Sequence, residues 1–176
     1  MKIFLFLVYI PLMLLAQSKS SDDFTQTTLV KVEDKAPKFV TKTISGENFS
    51  LSDQKGKVVL VTFFATWCSH CLAELPLIED RIYKIFKERT DFNQIVISRK
   101  QDVPELEKFK ETKKFSLPFA PDPKGEIYGK YASKYIPRSF VIGRDGKIKF
   151  ISKGSNEKSV EEILYAIKKE LEKTNN

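Results

Sequence analysis

The sequence predicts an α/β fold with a mixed central β-sheet flanked by helices and an N-terminal β extension. Two apolar runs, at residues 58–65 and 92–98, have the length and composition of buried strands. Segments with helical spacing follow each of them. Two further strands are joined by Asp145-Gly146, a strong hairpin signal, and one last helix follows. This order predicts parallel and antiparallel pairing in one sheet that is covered on both faces.

The first sixteen residues differ from the rest of the chain. Lys2 precedes an apolar stretch over residues 3–15, and the small residues Ala16 and Ser18 follow it. This pattern is typical of a secretory signal peptide, and we expect export to the periplasm. The alternative is an uncleaved anchor that tethers the domain to the membrane, although the stretch is shorter than the roughly 20 residues of a spanning helix.

Residues 17–36 are polar and are predicted to be a linker to a folded domain at 37–173. Residues 29–33 could add a short edge strand. The β extension is predicted from strands at 39–43 and 49–51, which surround a turn at 45–48.

The helices are predicted from spacing and capping residues. A helix at 70–88 has apolar residues at Leu75, Ile78, Ile82 and Ile85, and Pro76 is expected to kink it. Asp102 caps a helix near 103–114, residues 118–123 are predicted to be irregular, and a short helix covers 125–133. Strands at 138–142 and 147–152 form the hairpin. Ser159 is predicted to cap the last helix, with a buried stripe at Val160, Ile163, Leu164, Ile167 and Leu171.

The charge pattern argues against nucleic-acid binding. Among 176 residues, 30 are Lys or Arg and 23 are Asp or Glu, which gives a formal net charge of +7. Basic and acidic residues alternate without a long basic run, so a solvated basic surface is expected instead.

Both cysteines of the chain lie in Cys68-Ser69-His70-Cys71, between a buried strand and a helix. The helix N-terminus offers free N–H groups and a positive dipole end, which stabilise a thiolate at Cys68. A thiolate attacks disulfides, and Cys71 can then attack the mixed disulfide and release the substrate. A structural disulfide would close only a tiny loop, and zinc would need more soft ligands than His70 provides. We therefore expect a redox-active Cys68–Cys71 disulfide with no metal and no other cofactor.

Three motifs resemble the thioredoxin-like superfamily, and within it the exported TlpA/ResA-type thiol-disulfide oxidoreductases. They are residues 63–71 (FFATWCSHC), residues 74–76 (ELP) and residues 135–142 (YIPRSFVI), the last followed by DGKI at 145–148. The resemblance covers roughly residues 34–172. It implies a thioredoxin-like fold.

The resemblance also implies roles for residues near the dithiol. Ile136 and Pro137 match the cis-proline loop, which lies opposite the dithiol and pairs with the substrate backbone. Trp67 would form an apolar shelf beside Cys68, or be only a packing residue.

Glu74 matches an acid that lies beneath the dithiol in ResA-type proteins and can carry the proton of Cys71. Thioredoxin has its acid in the central strand instead, where this chain has Thr62. The alternative for Glu74 is a favourable charge in the first turn of a helix.

His70 is the only histidine, and it precedes the second cysteine as in oxidant members of the family. It can stabilise the Cys68 thiolate and so make the disulfide more oxidising, or it is an exposed residue at a surface turn.

The function expected from these residues is disulfide exchange with exported proteins, as a reductant of their cysteines. The resemblance implies a membrane protein as electron donor, and we expect a monomer. Three other functions are considered: a peroxiredoxin-like peroxidase, a Sco-type copper chaperone and a non-catalytic binding domain. A peroxidase would need threonine where the chain has Ala65. A Sco-type copper chaperone needs a different cysteine spacing and a distal histidine. A non-catalytic binding domain would not need an intact dithiol.

Overall fold

A computed structural model describes residues 19–173 of the chain. The predicted signal peptide, residues 1–16, lies outside this range. Within residues 19–173, no helix combines the length and apolar character needed to cross a bilayer.

The elements form a helix, three consecutive strands, an alternation of helices and strands, a run of strands and a last helix. The helices are α1 (Lys19–Gln26), α2 (Ser69–Ile78), α3 (Lys84–Phe86), α4 (Val103–Lys113) and α5 (Glu157–Glu172). The strands are β1 (Val40–Lys42), β2 (Asn48–Ser50), β3 (Val58–Phe64), β4 (Phe92–Arg99), β5 (Phe119–Asp122), β6 (Arg138–Ile142) and β7 (Ile148–Ser152). A π-helical turn, Glu79–Tyr83, connects α2 to α3.

The five-stranded sheet is mixed, as predicted, with the order β5-β4-β3-β6-β7. Strands β4 and β5 run parallel to β3, whereas β6 is antiparallel to both β3 and β7. The hairpin β1–β2 forms a separate two-stranded sheet, which is the predicted N-terminal β extension. The central strand β3 is buried along its whole length, and its carboxyl end leads directly to the cysteines.

Each face of the sheet buries its own apolar core. Helices α2, α4 and α5 cover one face, where Leu60 and Phe64 of β3 pack against Leu75, Phe109 and Ile163. The other face packs against the β1–β2 hairpin and residues 128–132. Side chains of β3 alternate between the two cores, as the two-residue period of a strand requires.

Residues 27–36 lie in the segment predicted to be a linker, and they contact the sheet domain. The amide of Leu29 donates to the carbonyl of Tyr131, and that of Glu33 donates to the carbonyl of Ile148. Isolated bridges join Thr28 to Ala132 and Lys35 to Lys147. No strand forms at 29–33, which corrects the expectation of an edge strand there.

Two further corrections concern loops between elements. Residues 119–122 form strand β5 at the edge of the sheet, where Pro121 is tolerated because an edge strand has one side without ladder partners. The helix predicted at 125–133 is a single 3₁₀ turn, Tyr128–Lys130. Gly125 has a φ of 70°, outside the helical region, so a longer helix cannot begin there.

The apolar stripe after the dithiol also differs from the prediction. Ile85 is 61% exposed, and Phe86 is buried in its place. The π-helical turn at Glu79–Tyr83 accounts for this, because one extra residue per turn rotates the following side chains around the helix axis.

The last helix begins earlier than predicted. Asn156, not Ser159, is its N-cap, and Ser159 is the third helical residue of a reciprocal capping box. The Asn156 side chain accepts from the Ser159 amide at 3.0 Å, and the Ser159 hydroxyl accepts from the Asn156 amide at 2.9 Å.

Candidate active site

Cys68 and Cys71 form a disulfide at the start of α2, with their Cα atoms 5.3 Å apart. Cys68 is the N-cap residue, and its Sγ accepts a hydrogen bond from the Cys71 amide at 3.2 Å. An amide aimed at this sulfur and the positive end of the helix dipole both favour negative charge there. The local structure therefore stabilises a thiolate at Cys68 when the disulfide is reduced.

The two sulfur-bearing residues differ in accessibility. Cys68 is 7% exposed, whereas Cys71 is completely buried. Trp67, next to Cys68, is 69% exposed, so it is not a core packing residue. An incoming disulfide can therefore meet Cys68 beside an exposed aromatic surface, whereas Cys71 is closed to solvent.

The predicted cis-proline loop lies directly opposite Cys68. The Ile136–Pro137 peptide bond is cis, as expected, and the Ile136 carbonyl oxygen lies 3.7 Å from Cys68 Sγ. Pro137 is buried and Ile136 is partly buried. Ile136 thus offers a main-chain carbonyl next to the sulfur, where an extended polypeptide could pair with it.

Glu74 lies one helical turn after Cys71 and is only 1% exposed. Its Oε1 has no hydrogen-bond partner among the described residues. Burial raises the pKa of this carboxyl group to about 8, because a carboxylate loses its hydration in an apolar environment. Near neutral pH the carboxyl group is therefore largely protonated while the disulfide is present.

A pair of buried hydroxyls occupies the position where thioredoxin has its acid. Thr62 Oγ1 and Ser139 Oγ lie 2.9 Å apart across β3 and β6. Both side chains are buried, and Thr62 alternates with Leu60 and Phe64 on the sheet face that α2 covers. Glu74 is thus the buried carboxyl group nearest in sequence to the dithiol, as the motif implies.

His70 lies in the first turn of α2 and is exposed. Its side chain is therefore on the surface, between the two cysteines in the chain.

Gln101, which the sequence did not single out, holds the turn before the dithiol. Its Oε1 accepts from the Thr66 amide and the Ser98 hydroxyl, each at 2.8 Å, and its Nε2 donates to Thr66 Oγ1 at 2.6 Å. The sequence contained a signal for this contact, because Gln101 follows β4. The carboxyl ends of the adjacent parallel strands β3 and β4 meet at one edge of the sheet, so residues that follow them lie close together. Arg138 was also missed; it is the first residue of the fully buried strand β6, directly after Pro137.

No group of three or more metal-ligating side chains occurs within residues 19–173. The candidate site contains the two cysteines, the buried carboxyl group of Glu74 and the loop opposite them.

Known proteins share the sequence pattern and the fold of this chain. Residues 32–151 match the AhpC/TSA family. Thiol-disulfide oxidoreductase ResA of Geobacillus kaustophilus is 31% identical over 146 residues, covering 82% of this chain and 83% of the relative.

Solved structures with the same fold include a thiol:disulfide interchange protein from Chlorobium tepidum, at a TM-score of 0.67 and 26% identity, covering 81% of this chain and 98% of that one. StoA from Bacillus subtilis matches at a TM-score of 0.63 and 26% identity, covering 74% and 96% respectively.

Proposed function

The chain belongs to the AhpC/TSA family and is a thiol-disulfide oxidoreductase, and from this premise we propose that it reduces disulfides of exported proteins. The observation that carries the proposal is Cys68, 7% exposed at a helix N-terminus, with the buried Glu74 one turn beyond Cys71; Glu74 Oε1 has no hydrogen-bond partner within residues 19–173. The dithiol itself carries two electrons, so the proposed reaction needs no metal and no organic cofactor.

The reaction begins with reduced cysteines. The Cys68 thiolate attacks one sulfur of the substrate disulfide, which forms a mixed disulfide and releases one substrate thiolate. Cys71 then loses its proton to the Glu74 carboxylate and attacks Cys68 Sγ. The second substrate thiolate leaves, and the Cys68–Cys71 disulfide forms as two electrons pass to the substrate.

The raised pKa of Glu74 supports the return half of this proton transfer, because a carboxyl group that is protonated near neutral pH has a proton to give to Cys71. In the disulfide state described above, a pKa of about 8 keeps Glu74 protonated near neutral pH. That is the state expected after it has accepted the proton of Cys71. When an electron donor reduces the disulfide again, Glu74 can return the proton to the Cys71 thiolate.

Substrate alignment is assigned to the groups around Cys68. We propose that Trp67 supports the substrate beside the attacking sulfur, and that Ile136 and Pro137 pair with its backbone. The exposure of Trp67 and the 3.7 Å separation of Cys68 Sγ from the Ile136 carbonyl oxygen support these roles.

Export and the electron donor are part of the proposal. Residues 1–16 would direct the chain to the periplasm, with cleavage or with retention as a membrane tether. The donor would be a membrane protein, and the domain would act as a monomer. Mass spectrometry of the mature N-terminus, cell fractionation and sedimentation analysis test these points.

A redox titration tests the direction of electron flow. The potential of the dithiol is measured against glutathione, with thioredoxin at about −270 mV and DsbA at about −120 mV as references. A value nearer thioredoxin supports a reductant, and a value nearer DsbA would identify an oxidant. Substrate reduction should depend on Glu74, and Glu74→Gln should shift its pH profile. An unchanged profile would leave Glu74 without a role in proton transfer.

Parallel assays separate the other candidate functions. Peroxide turnover is not expected, because Ala65 stands where a peroxidase would need threonine. Peroxide turnover faster than disulfide reduction, or tight copper binding by the dithiol, would contradict the proposal.

A further inference from the structure

Arg138 is a completely buried cation directly after Pro137. Its partners within residues 19–173 are carbonyl groups, threonine hydroxyls and an aromatic ring, with no carboxylate among them. Burying a charge is costly unless hydrogen bonds replace its hydration. The groups that surround this guanidinium are therefore held to it strongly, and they come from two separate segments.

The first segment is the loop that carries the cis peptide bond. Arg138 Nε donates to the carbonyls of Lys134 at 3.0 Å and Tyr135 at 3.1 Å. The Tyr128 hydroxyl donates to the same Tyr135 carbonyl at 2.6 Å. Tyr135 has a φ of 67°, which is uncommon for a residue with a side chain. These bonds fix the peptide group immediately before Ile136.

The second segment, residues 23–28, is called the arm. Arg138 Nη2 donates to Thr27 Oγ1 at 2.7 Å and to the Phe24 carbonyl at 3.4 Å, and Nη1 donates to Thr28 Oγ1. The guanidinium carbon lies 3.7 Å from the centroid of the Phe24 ring, within the range of a cation–π interaction. The arm therefore supplies the other half of the guanidinium's surroundings.

The arm also contacts the loop without Arg138. The Phe24 ring stacks on Tyr135 with centroids 6.5 Å apart, and the Tyr135 hydroxyl donates to the Asp23 carboxylate. The Ser133 amide donates to the Thr27 carbonyl at 2.9 Å, beside an antiparallel bridge from Thr28 to Ala132. The arm is thus joined to the chain that enters the loop and to the loop itself.

We propose that the arm clamps the cis-proline loop and that Arg138 is the positioning residue through which it holds Ile136 and Pro137 opposite Cys68. Arg138 does not touch the reacting sulfur atoms, and its role is to fix the backbone that aligns a polypeptide. The inference rests on the proposed reduction of polypeptide disulfides, and it adds a residue and a segment to that site.

Two substrates distinguish positioning from general damage. Reduced protein is mixed either with a disulfide-bonded polypeptide such as insulin or with the small disulfide 5,5′-dithiobis(2-nitrobenzoate), and rate constants are compared. For Arg138→Met and Phe24→Ala, the polypeptide rate should fall by about tenfold or more, since misplacing a positioning group by an ångström can cost about 100-fold. The rate with the small disulfide should stay close to that of wild type.

The matched control is Val32→Ala, which truncates an exposed apolar residue just beyond the arm. It should leave both rates unchanged. The double variant Phe24→Ala/Arg138→Met should lose less polypeptide rate than the two single losses combined, because both changes disrupt the same clamp. Fully additive losses would show that the arm does not act through Arg138.

The remaining outcomes also decide the proposal. The proposal is overturned if both single variants reduce the polypeptide as fast as wild type does. It is also overturned if a folded variant loses the same factor in rate with the polypeptide and with the small disulfide. If Arg138→Met does not fold, Phe24→Ala decides alone, because this side chain is only partly buried.

If wild type itself fails to reduce polypeptides, the proposed function fails. Amide hydrogen exchange at residues 133–139 then tests the clamp: faster exchange in Phe24→Ala supports it, and unchanged exchange overturns it.

Discussion

Cys68 Sγ lies 3.7 Å from the carbonyl oxygen of Ile136, although the two residues are 68 positions apart in the chain. The sulfur comes from the start of α2, and the carbonyl comes from the loop before β6. A substrate chain that pairs with Ile136 is therefore brought to Cys68 rather than to the buried Cys71.

We expect the two cysteine variants to trap substrates differently. Cys71→Ser should accumulate mixed disulfides through Cys68, because no second thiol can resolve them. Cys68→Ser should accumulate none, because Cys71 is completely buried. Non-reducing gels and mass spectrometry of the adducts measure this. Equal trapping by both variants, or by neither, would contradict the assignment of Cys68 as the attacking thiol.

Glu74 should make the stability of the oxidised protein depend on pH. Its pKa is raised from an ordinary 4.5 to about 8 by burial, so between these values the folded protein binds a proton that the unfolded chain has lost. Stability must then fall as pH rises through this window, by up to about 1.4 kcal/mol per pH unit. The free energy of unfolding of Glu74→Gln, relative to that of wild type, should therefore increase from pH 5 to about pH 8.

Denaturant unfolding at several pH values measures this difference. Glu111→Gln, which removes an exposed carboxylate on α4, is the control and should follow the pH dependence of wild type. A constant difference between Glu74→Gln and wild type across the window would show that Glu74 is not protonated in the folded state.

Replacing His70 by proline should make the dithiol more reducing. If His70 stabilises the Cys68 thiolate, it favours the reduced form, and its loss should lower the potential. Each 1.4 kcal/mol corresponds to about 30 mV, so the loss of one hydrogen bond is measurable in a glutathione titration. Thiolate absorbance is followed across pH in the same samples. A potential that stays constant or rises would show that His70 does not set it.

Gln101→Leu should destabilise the fold and slow the reaction of Cys68. The substitution leaves the Thr66 amide and the Ser98 hydroxyl without their partner, at a cost of about 1–3 kcal/mol for a buried unpaired group. Gln94→Leu is the matched control, because Gln94 is equally buried and its side-chain amide has no partner among the described residues. It should be neutral or stabilising. Equal destabilisation by both substitutions would contradict a special role for Gln101.

The sequence was most informative where local chemistry determines structure. The segments on either side of the paired cysteines predicted the strand-to-helix turn, and Asp102 predicted the cap that begins α4. The proline motif predicted the loop opposite the dithiol, because its residues match a known pattern rather than a periodicity.

The sequence was least informative where tertiary contacts determine structure. Residues 118–123 were predicted to be irregular, but strand β5 forms there because its edge position tolerates Pro121. The rotation of Ile85 to the surface depends on a π-helical turn that has no simple sequence signal. The burial of Arg138 could not be foreseen either, because its partners Thr27 and Thr28 lie in a polar segment that looks like a linker.

The contacts of Arg138 also determine when during synthesis the site can be completed. Thr28 and Phe24 precede Arg138 by 110 and 114 residues, so they leave the ribosome long before their partner. Contacts between such distant residues form late, because a long loop must close first. A nascent chain therefore has both cysteines before it has the loop that faces them.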